Sequence, residues 1–461
     1  MAESEKAKLY REIVQQTTEQ VLMQRMRLYG FWPQNQPLPQ DPPQETAERT
    51  RLETEMANLR KTASLVKNPQ KALAEERKRR WLESKKRRAE NKAKRAEERK
   101  KRREAYDAFR KEHVVHVGAD VSGGLQHTTS ATLALTNRGL PVLQDSNDVA
   151  AAMGITLGVL RWLTYHRRAA AVVHYHRFDI AKKTGGLRSI SAPKAALARA
   201  QRWVFDNILM RLEVEPQVHG FVPGHSILSN ATPHVGKQVV VNLDVKDFFP
   251  SVTFRRVKGL FQAFGYSEHV ATVFALLCTE PPRVAAEVDG KVYHVALSER
   301  VLPQGACTSP AITNALCRRL DRRLAALAKR HGYSYTRYAD DLTFSGDNGK
   351  AVGRLLRSVR SIVQAEGFTE HPRKTRVMRR ANRQEVTGVT VNTRPTVSRK
   401  EVRTLRAILH NAARDGLEKQ NRTNHPNFAA YLRGRVEFVC MVDPKQAEVL
   451  RPALAQALAK P

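Results

Sequence analysis

The sequence predicts an α+β fold in which a small antiparallel sheet carries a cluster of acids and a helical, basic extension precedes it. Three observations lead there. The run Val239–Val245 (VVVNLDV) is β-branched, as a buried strand requires, and holds one acid, Asp244, near its end. Further on, Tyr333–Phe344 reads as strand, turn and strand, with two adjacent acids, Asp340 and Asp341, near the turn. Residues 47–112, by contrast, are rich in Ala, Glu, Lys and Arg, and the composition of a packed domain begins only near residue 113.

Taken in order, residues 4–28 predict a helix with Leu9, Ile13, Val21, Leu22 and Met26 as its apolar face. Trp32–Gln44 (WPQNQPLPQDPPQ) holds prolines that forbid a helix and favour an extended linker. Between Glu75 and Glu112 there are 18 Lys/Arg against 9 Asp/Glu, a net +9. Pairs such as Glu75–Arg79, Glu76–Arg80, Glu83–Arg87, Glu90–Lys94 and Glu97–Lys101 support a solvated single helix, and missing apolar heptad positions disfavour a coiled coil. This segment reads equally well as a spacer or as an RNA-gripping arm.

Beyond residue 113, Ser146 or Asn147 caps an expected helix running DVAAAMGITLGVLRWLTYHR. Lys182–Ile190 reads as a basic Gly turn between strands, and Ala195–Leu212 as an amphipathic helix. Asp289-Gly290 predicts a two-residue hairpin. Ser309–His331 is expected to be helical, Val386–Asn392 to contain a short strand, and residues 398–461 to be mostly helical.

The chain has 461 residues, room for roughly three domains. Lys+Arg number 79 and Asp+Glu 45, a net +34 that points to a polyanionic partner, most often nucleic acid. The rest of the chain keeps +25 once the Glu75–Glu112 segment is subtracted (34 − 9), so the basic character is not confined to that segment. No apolar run is long enough for a membrane span, and the charged N-terminus (MAESEKAKLYREI) predicts no signal peptide. Cys278, Cys307, Cys317 and Cys440 lack CxxC spacing, which fits a reducing cytoplasm and argues against a zinc ribbon or disulfide scaffold.

An acid at the end of a buried strand is costly without a counter-charge, and three carboxylates brought together repel unless divalent cations neutralise them. The surrounding motifs carry a resemblance. Tyr338-Ala339-Asp340-Asp341 resembles the YxDD box of reverse transcriptases, and Asp244 with Phe248-Phe249 resembles their first palm motif. Leu302-Pro303-Gln304-Gly305 with Ser309-Pro310 and Asn314 is similar to the segment lining the nucleotide pocket. Lys182–Lys194 and His219–Ser226 are similar to two blocks of the fingers side. Asn230–His234 (NATPH) and Val386-Thr387-Gly388 resemble the NAxxH and VTG signatures of bacterial retron reverse transcriptases. The resemblance spans roughly residues 135–440. It departs from the compact members in the first 112 residues, and in His371, where many relatives carry Asn.

The resemblance implies a right-hand polymerase: fingers over 113–235, palm over 236–392 and thumb over 393–461, after an extension of 1–112. It implies Asp244, Asp340 and Asp341 as catalytic acids, with the Val245 carbonyl completing the sites of two Mg²⁺ ions. Arg188 is expected to grip incoming phosphates, Phe249 to exclude a ribose hydroxyl, and Gln304 and Gly305 to let backbone approach the nucleotide. Lys374 is a candidate proton donor or phosphate contact. Thr387 and Gly388, with Arg399, Lys400, Arg403 and Arg406 of the thumb, are expected at the nucleic acid, and Asn230 and His234 are expected either there or in structural hydrogen bonds. The implied function is RNA-directed DNA synthesis from dNTPs on a dedicated noncoding RNA, primed by an RNA 2′-hydroxyl and yielding msDNA in antiphage defence. Implied partners are an effector protein and a host RNase H, with no membrane. Group II intron or diversity-generating reverse transcriptases, and a noncatalytic RNA-binding scaffold, are the alternatives.

Overall fold

The computed structural model describes residues 5–15, 18–37, 42–181, 185–422 and 424–459. The chain divides into two compact units, Met1–Ala105 and Tyr106–Pro461.

In the first unit, helices Glu5–Gln15 and Thr18–Leu28 occupy the expected N-terminal helical region, with residues 16 and 17 outside the described set. The side chains of Leu9 and Ile13 also lie outside it, Val21 is buried and Leu22 is exposed. The basic segment forms two helices, Pro43–Lys67 and Pro69–Glu112. Pro69 sets the break, because proline disfavours helical geometry at the residue before it; Asn68 then accepts from the Lys71 N–H with its side chain. The 44-residue helix Pro69–Glu112 buries no residue. Of the expected ion pairs, Glu76–Arg80 and Glu97–Lys101 form, joined by reverse-order pairs such as Arg79–Glu83 and Lys86–Glu90.

The expected boundary at 113 falls late. The last turn of this helix belongs to the second unit, where the Arg161 guanidinium donates to the carbonyls of Arg110, Lys111 and His113 at 2.7, 2.9 and 3.0 Å. Those are end-of-helix acceptors that need a donor.

Among its described residues the second unit has the strands β1 (Ala169–Ala170), β2 (Tyr175–Ala181), β3 (Leu187–Pro193), β4 (Val239–Asp244), β5 (Arg283–Val288), β6 (Lys291–Ala296), β7 (Tyr333–Tyr338), β8 (Asp341–Gly346), β9 (Arg376–Arg379), β10 (Glu385–Val386) and β11 (Val389–Thr390). The central sheet has the order β7-β8-β4-β9, all antiparallel. Both faces of β4 are covered, which explains its unbroken apolar run. Val239, Val241 and Leu243 join the larger core with Leu320, Leu324, Leu355 and Val359 of the helices below. Val240 joins a second core with Ala231, Val386, Val389, Val391 and the C-terminal helices.

Three expected elements differ. The helix predicted from Ser146 or Asn147 is two helices, Ser146–Ala152 and Leu157–Thr164. Asp145 caps the first, Gly154 turns left-handed (φ 64°), and Thr156 caps the second. Ser309–His331 is likewise broken, into Thr308–Leu316 and Arg318–His331. Thr387 and Gly388 do not belong to a strand: they are the left-handed turn (φ 46° and 84°) between β10 and β11. Asp289-Gly290 makes the expected hairpin, at φ 51° and 68°.

Candidate active site

The acids meet through sheet register. β4 pairs with β8 so that Asp244 stands opposite Asp341. β7 and β8 form a hairpin closed at Tyr338 and Asp341, leaving Ala339 and Asp340 as its two-residue tip. Ala339 sits at φ 57°, a conformation that costs a non-glycine residue about 1 kcal/mol or more. The tip is tied to β4 by the Val245 N–H, which donates to the Asp340 carbonyl at 3.0 Å. The turn thus breaks strand alternation and brings Asp340 to the end of the sheet where Asp244 and Asp341 already face each other.

Burial, then the neighbouring carboxylates of Asp340 and Asp244, push the Asp341 pKa up to about 7. Burial and Asp244 also raise Asp340, against Lys374 and Arg188. The Lys374 ammonium lies 2.8 and 2.9 Å from the two carboxylate oxygens of Asp244. The turn after His371 delivers it: the His371 N–H donates to the Asp244 carbonyl and the Lys374 N–H to the His371 carbonyl. Among the described residues no three His, Cys, Asp or Glu side chains form a finished cage for a metal ion. The donor set is nonetheless hard oxygen on partly desolvated carboxylates, of which Asp340 and Asp341 have raised pKa, and this fits a hard divalent cation that would relieve their repulsion.

The hairpin is braced from the opposite face of the sheet. Arg337, one residue before the Tyr-Ala-Asp-Asp segment, is fully buried. Its guanidinium donates to both carboxylate oxygens of buried Asp321 at 2.8 and 2.7 Å, to Asn314 Oδ1 at 2.9 Å, and to the Ala339 carbonyl at 3.2 Å. Burial alone opposes the charge, but Asp321 more than restores it. The Tyr335 hydroxyl donates to Asp321, and Asn314 donates to the Gly220 carbonyl. A Cβ on Gly220 would lie 2.4 Å from the Ala339 nitrogen, so glycine is what lets the His219–Ser226 segment press against the tip. This brace was not assigned from sequence. Its signal was there: Arg337 shares the buried face of Tyr335, and Asp321 is the sole acid of the helix Arg318–His331.

Phe249 is half-buried, its ring centroid 5.6 Å from that of Phe248 and 6.4 Å from that of Phe221. Arg188 is exposed on β3, opposite Ile180 on β2, close enough to act on Asp340; Lys182, Lys183 and Thr184 at the hairpin tip lie outside the described residues. Gly305 (φ 120°) serves a backbone approach, but its neighbour is a strand. A Cβ would meet the Ser191 carbonyl oxygen at 2.9 Å, and the Ser191 N–H donates to Gln304.

Asn230 and His234 correct the expectation of a nucleic-acid contact, for both are fully buried. His234 hydrogen-bonds Ser345 Oγ at 2.6 Å and Thr336 Oγ1 at 2.8 Å, on the same face of the sheet as Asp341, and burial lowers its pKa to about 3. Asn230 donates to Thr387 Oγ1 at 3.4 Å, and that hydroxyl donates to the Ile227 carbonyl. The two signature segments therefore touch each other, with their polar atoms turned inward. Arg399, Lys400, Arg403 and Arg406 are all exposed on the helix Arg399–Asp415.

A family model described as reverse transcriptase (RNA-dependent DNA polymerase) matches residues 180–405. Retron Mx65 reverse transcriptase of Myxococcus xanthus is 50% identical over 316 residues, 68% of this chain and 72% of the relative. Retron Mx162 reverse transcriptase of the same organism is 43% identical over 77% of this chain and 76% of the relative. Retron Ec86 reverse transcriptase of Escherichia coli is 32% identical over 68% of this chain and 89% of the relative.

Proposed function

The chain belongs to the bacterial retron reverse transcriptases and is an RNA-directed DNA polymerase; we propose that it copies part of a dedicated structured noncoding RNA into msDNA, primed from an RNA 2′-hydroxyl, in the cytoplasm and in the service of antiphage defence. The observation that carries the catalytic part is the opposition of Asp244 and Asp341 with Asp340 on the adjoining hairpin tip.

In this reading Asp244, Asp340 and Asp341, with the Val245 carbonyl, hold two Mg²⁺ ions. Bound there, the ions supply activation of the attacking hydroxyl and stabilisation of the leaving pyrophosphate. The remaining work belongs to the chain. Arg188 takes the incoming phosphates with its guanidinium fork. The Phe249 ring excludes a ribose 2′-hydroxyl by clash, which selects dNTPs. Gln304 and Gly305 fix the β3 strand over the nucleotide. Lys374 gives a proton to, or neutralises, the departing pyrophosphate. Arg399, Lys400, Arg403 and Arg406 hold the duplex through its phosphates. A host RNase H removes the copied template, and an effector protein reads the product.

The test is primer extension on poly(rA)/oligo(dT) with and without Mg²⁺. Asp340→Asn and Asp341→Asn each abolish synthesis while RNA binding persists. Full extension by both variants in Mg²⁺ would remove the assignment.

A further inference from the structure

The helix Pro69–Glu112 has a seven-residue period in its charges. Glu76, Glu83, Glu90, Glu97 and Glu104 recur every seven residues and so share one face. The bases three and four positions from these glutamates lie on that same face, and five of them pair with a glutamate. The ion pairs Arg79–Glu76, Arg79–Glu83, Arg80–Glu76, Lys86–Glu90, Lys101–Glu97 and Lys100–Glu104 make a ladder along it.

The opposite face is different. Positions 78, 81, 85, 88, 92, 95, 99 and 102 alternate steps of three and four and read Lys, Trp, Lys, Arg, Lys, Arg, Arg, Arg. All eight side chains are exposed, and none of the seven cations joins an ion pair among the described residues. The acids bordering the row are Glu75, at its start, and Glu98. Trp81 takes the non-cationic position, with the Lys85 ammonium 5.0 Å from its ring centre. The row extends about 36 Å at 1.5 Å per residue. Like charges three and four apart disfavour the helix that carries them. The ladder offsets this on its own face, whereas on the other no ion pair offsets it among the described residues.

We propose that this cationic row is a docking surface for the phosphate backbone of double-stranded RNA. The proposal rests on the reading of the chain as a polymerase that works on a structured RNA, and assigns the extension a part in holding it. A protein partner is disfavoured because the row offers one aromatic and no aliphatic anchor, whereas protein interfaces are centred on desolvated apolar contacts with charges at the rim. A single strand is disfavoured because its binding uses repeated aromatic platforms, and the row has one. A straight, regular array of cations matches the regular phosphates of a duplex, read by shape and charge.

The experiment compares three full-length proteins. The row variant replaces Lys78, Lys85, Arg88, Lys92, Arg95, Arg99 and Arg102 with Gln. The ladder variant replaces Arg79, Arg80, Lys86, Arg87, Lys94, Lys100 and Lys101 with Gln. Each loses seven charges, so bulk electrostatics change equally. Binding to a 20-base-pair RNA duplex, to a single-stranded 20-mer and to poly-glutamate is measured across a salt series, with far-ultraviolet circular dichroism monitoring the helix. The row variant keeps its helicity, and its log–log salt slope on duplex RNA falls by up to about 6, since each lost phosphate contact removes about 0.9 and seven cations are lost. The ladder variant retains most of its slope. Equal losses in both variants, an unchanged slope in the row variant, or a loss confined to poly-glutamate or to the single strand each overturn the proposal. Extension on poly(rA)/oligo(dT) separates the two readings: absence of synthesis by the unmodified protein removes the polymerase reading, while normal synthesis with unchanged duplex slopes removes only this one.

Discussion

Arg337 and Arg95 carry the same guanidinium and stand at opposite limits of how a protein uses a charge. Arg337 is sealed beneath the hairpin of β7 and β8 with five hydrogen-bond donors and fixed partners in Asp321, Asn314 and the Ala339 carbonyl. Arg95 stands in water on a helix that buries nothing. In the palm a single cation is placed by geometry, and its neighbours depend on it one by one. Along the row that Arg95 belongs to, no cation joins an ion pair among the described residues, and the sum along the face is what matters. The difference teaches that net charge says little about where a chain is sensitive to losing one.

The largest expected effect breaks that contrast at its sharper end. Arg337→Met leaves Asp321 buried without a counter-charge, which costs about 3–5 kcal/mol. Urea denaturation should show the lowered midpoint, and the double variant Arg337→Met/Asp321→Leu should recover most of the loss. Arg95→Met should leave the midpoint where it was. A small effect of Arg337→Met would place the two arginines in one class.

The next effect is acid sensitivity. His234 is neutral in the folded protein, with a pKa near 3, and titrates near 6.5 when unfolded. Because the folded pKa is the lower one, its contribution is complete above pH 6.5. It is lost as pH falls toward 3, since the unfolded chain takes up the proton first. At pH 5 the loss is about 2 kcal/mol. Denaturation midpoints at pH 7.5 and 5 should converge in His234→Gln relative to the unmodified protein. An identical pH dependence in the two would show that His234 is not the group responsible.

Gly305→Ala is expected to cost less, about 1–2 kcal/mol, from a left-handed φ and a Cβ pressed on Ser191. Its clearer signature is slower nucleotide incorporation, because the β2–β3 hairpin must shift; unchanged incorporation would mean the hairpin is placed by other contacts. At the small end, Glu97→Gln removes the 2.8 Å pair with Lys101 and should lower ellipticity only slightly, with no difference in high salt. A large loss there would mean the extension is not governed by its sum.

What was legible in sequence follows the same division. The three acids were readable because a turn between β-rich strands and a β-branched run ending in Asp leave few alternatives. The helix breaks near Gly154 and Cys317 were not, since the apolar pattern continues through both. Arg337 is not marked by any motif, although an ion on the buried face of a strand demands a partner. Asn230 and His234 are polar residues that sequence alone leaves open between structural hydrogen bonding and an RNA contact; both are buried, His234 against Ser345 and Thr336 and Asn230 against Thr387. A search for apolar heptads in the extension found none, and the seven-residue period was present in the charges instead.

The contact between Asn230 and Thr387 bears on how such polymerases can be recombined. Ala231, Val240, Val386 and Val389 share one core with Leu405, Leu409, Leu432 and Val436 of the C-terminal helices. A graft cut at residue 392 would carry away most of that core and leave the rest open to water. A transplantable module must instead keep residues 227–235 and 384–461 from the same parent, with the crossover inside the central sheet. Chimeras between this chain and its Myxococcus relatives should therefore succeed or fail by whether those two segments travel together, even though more than a hundred residues of catalytic sequence separate them.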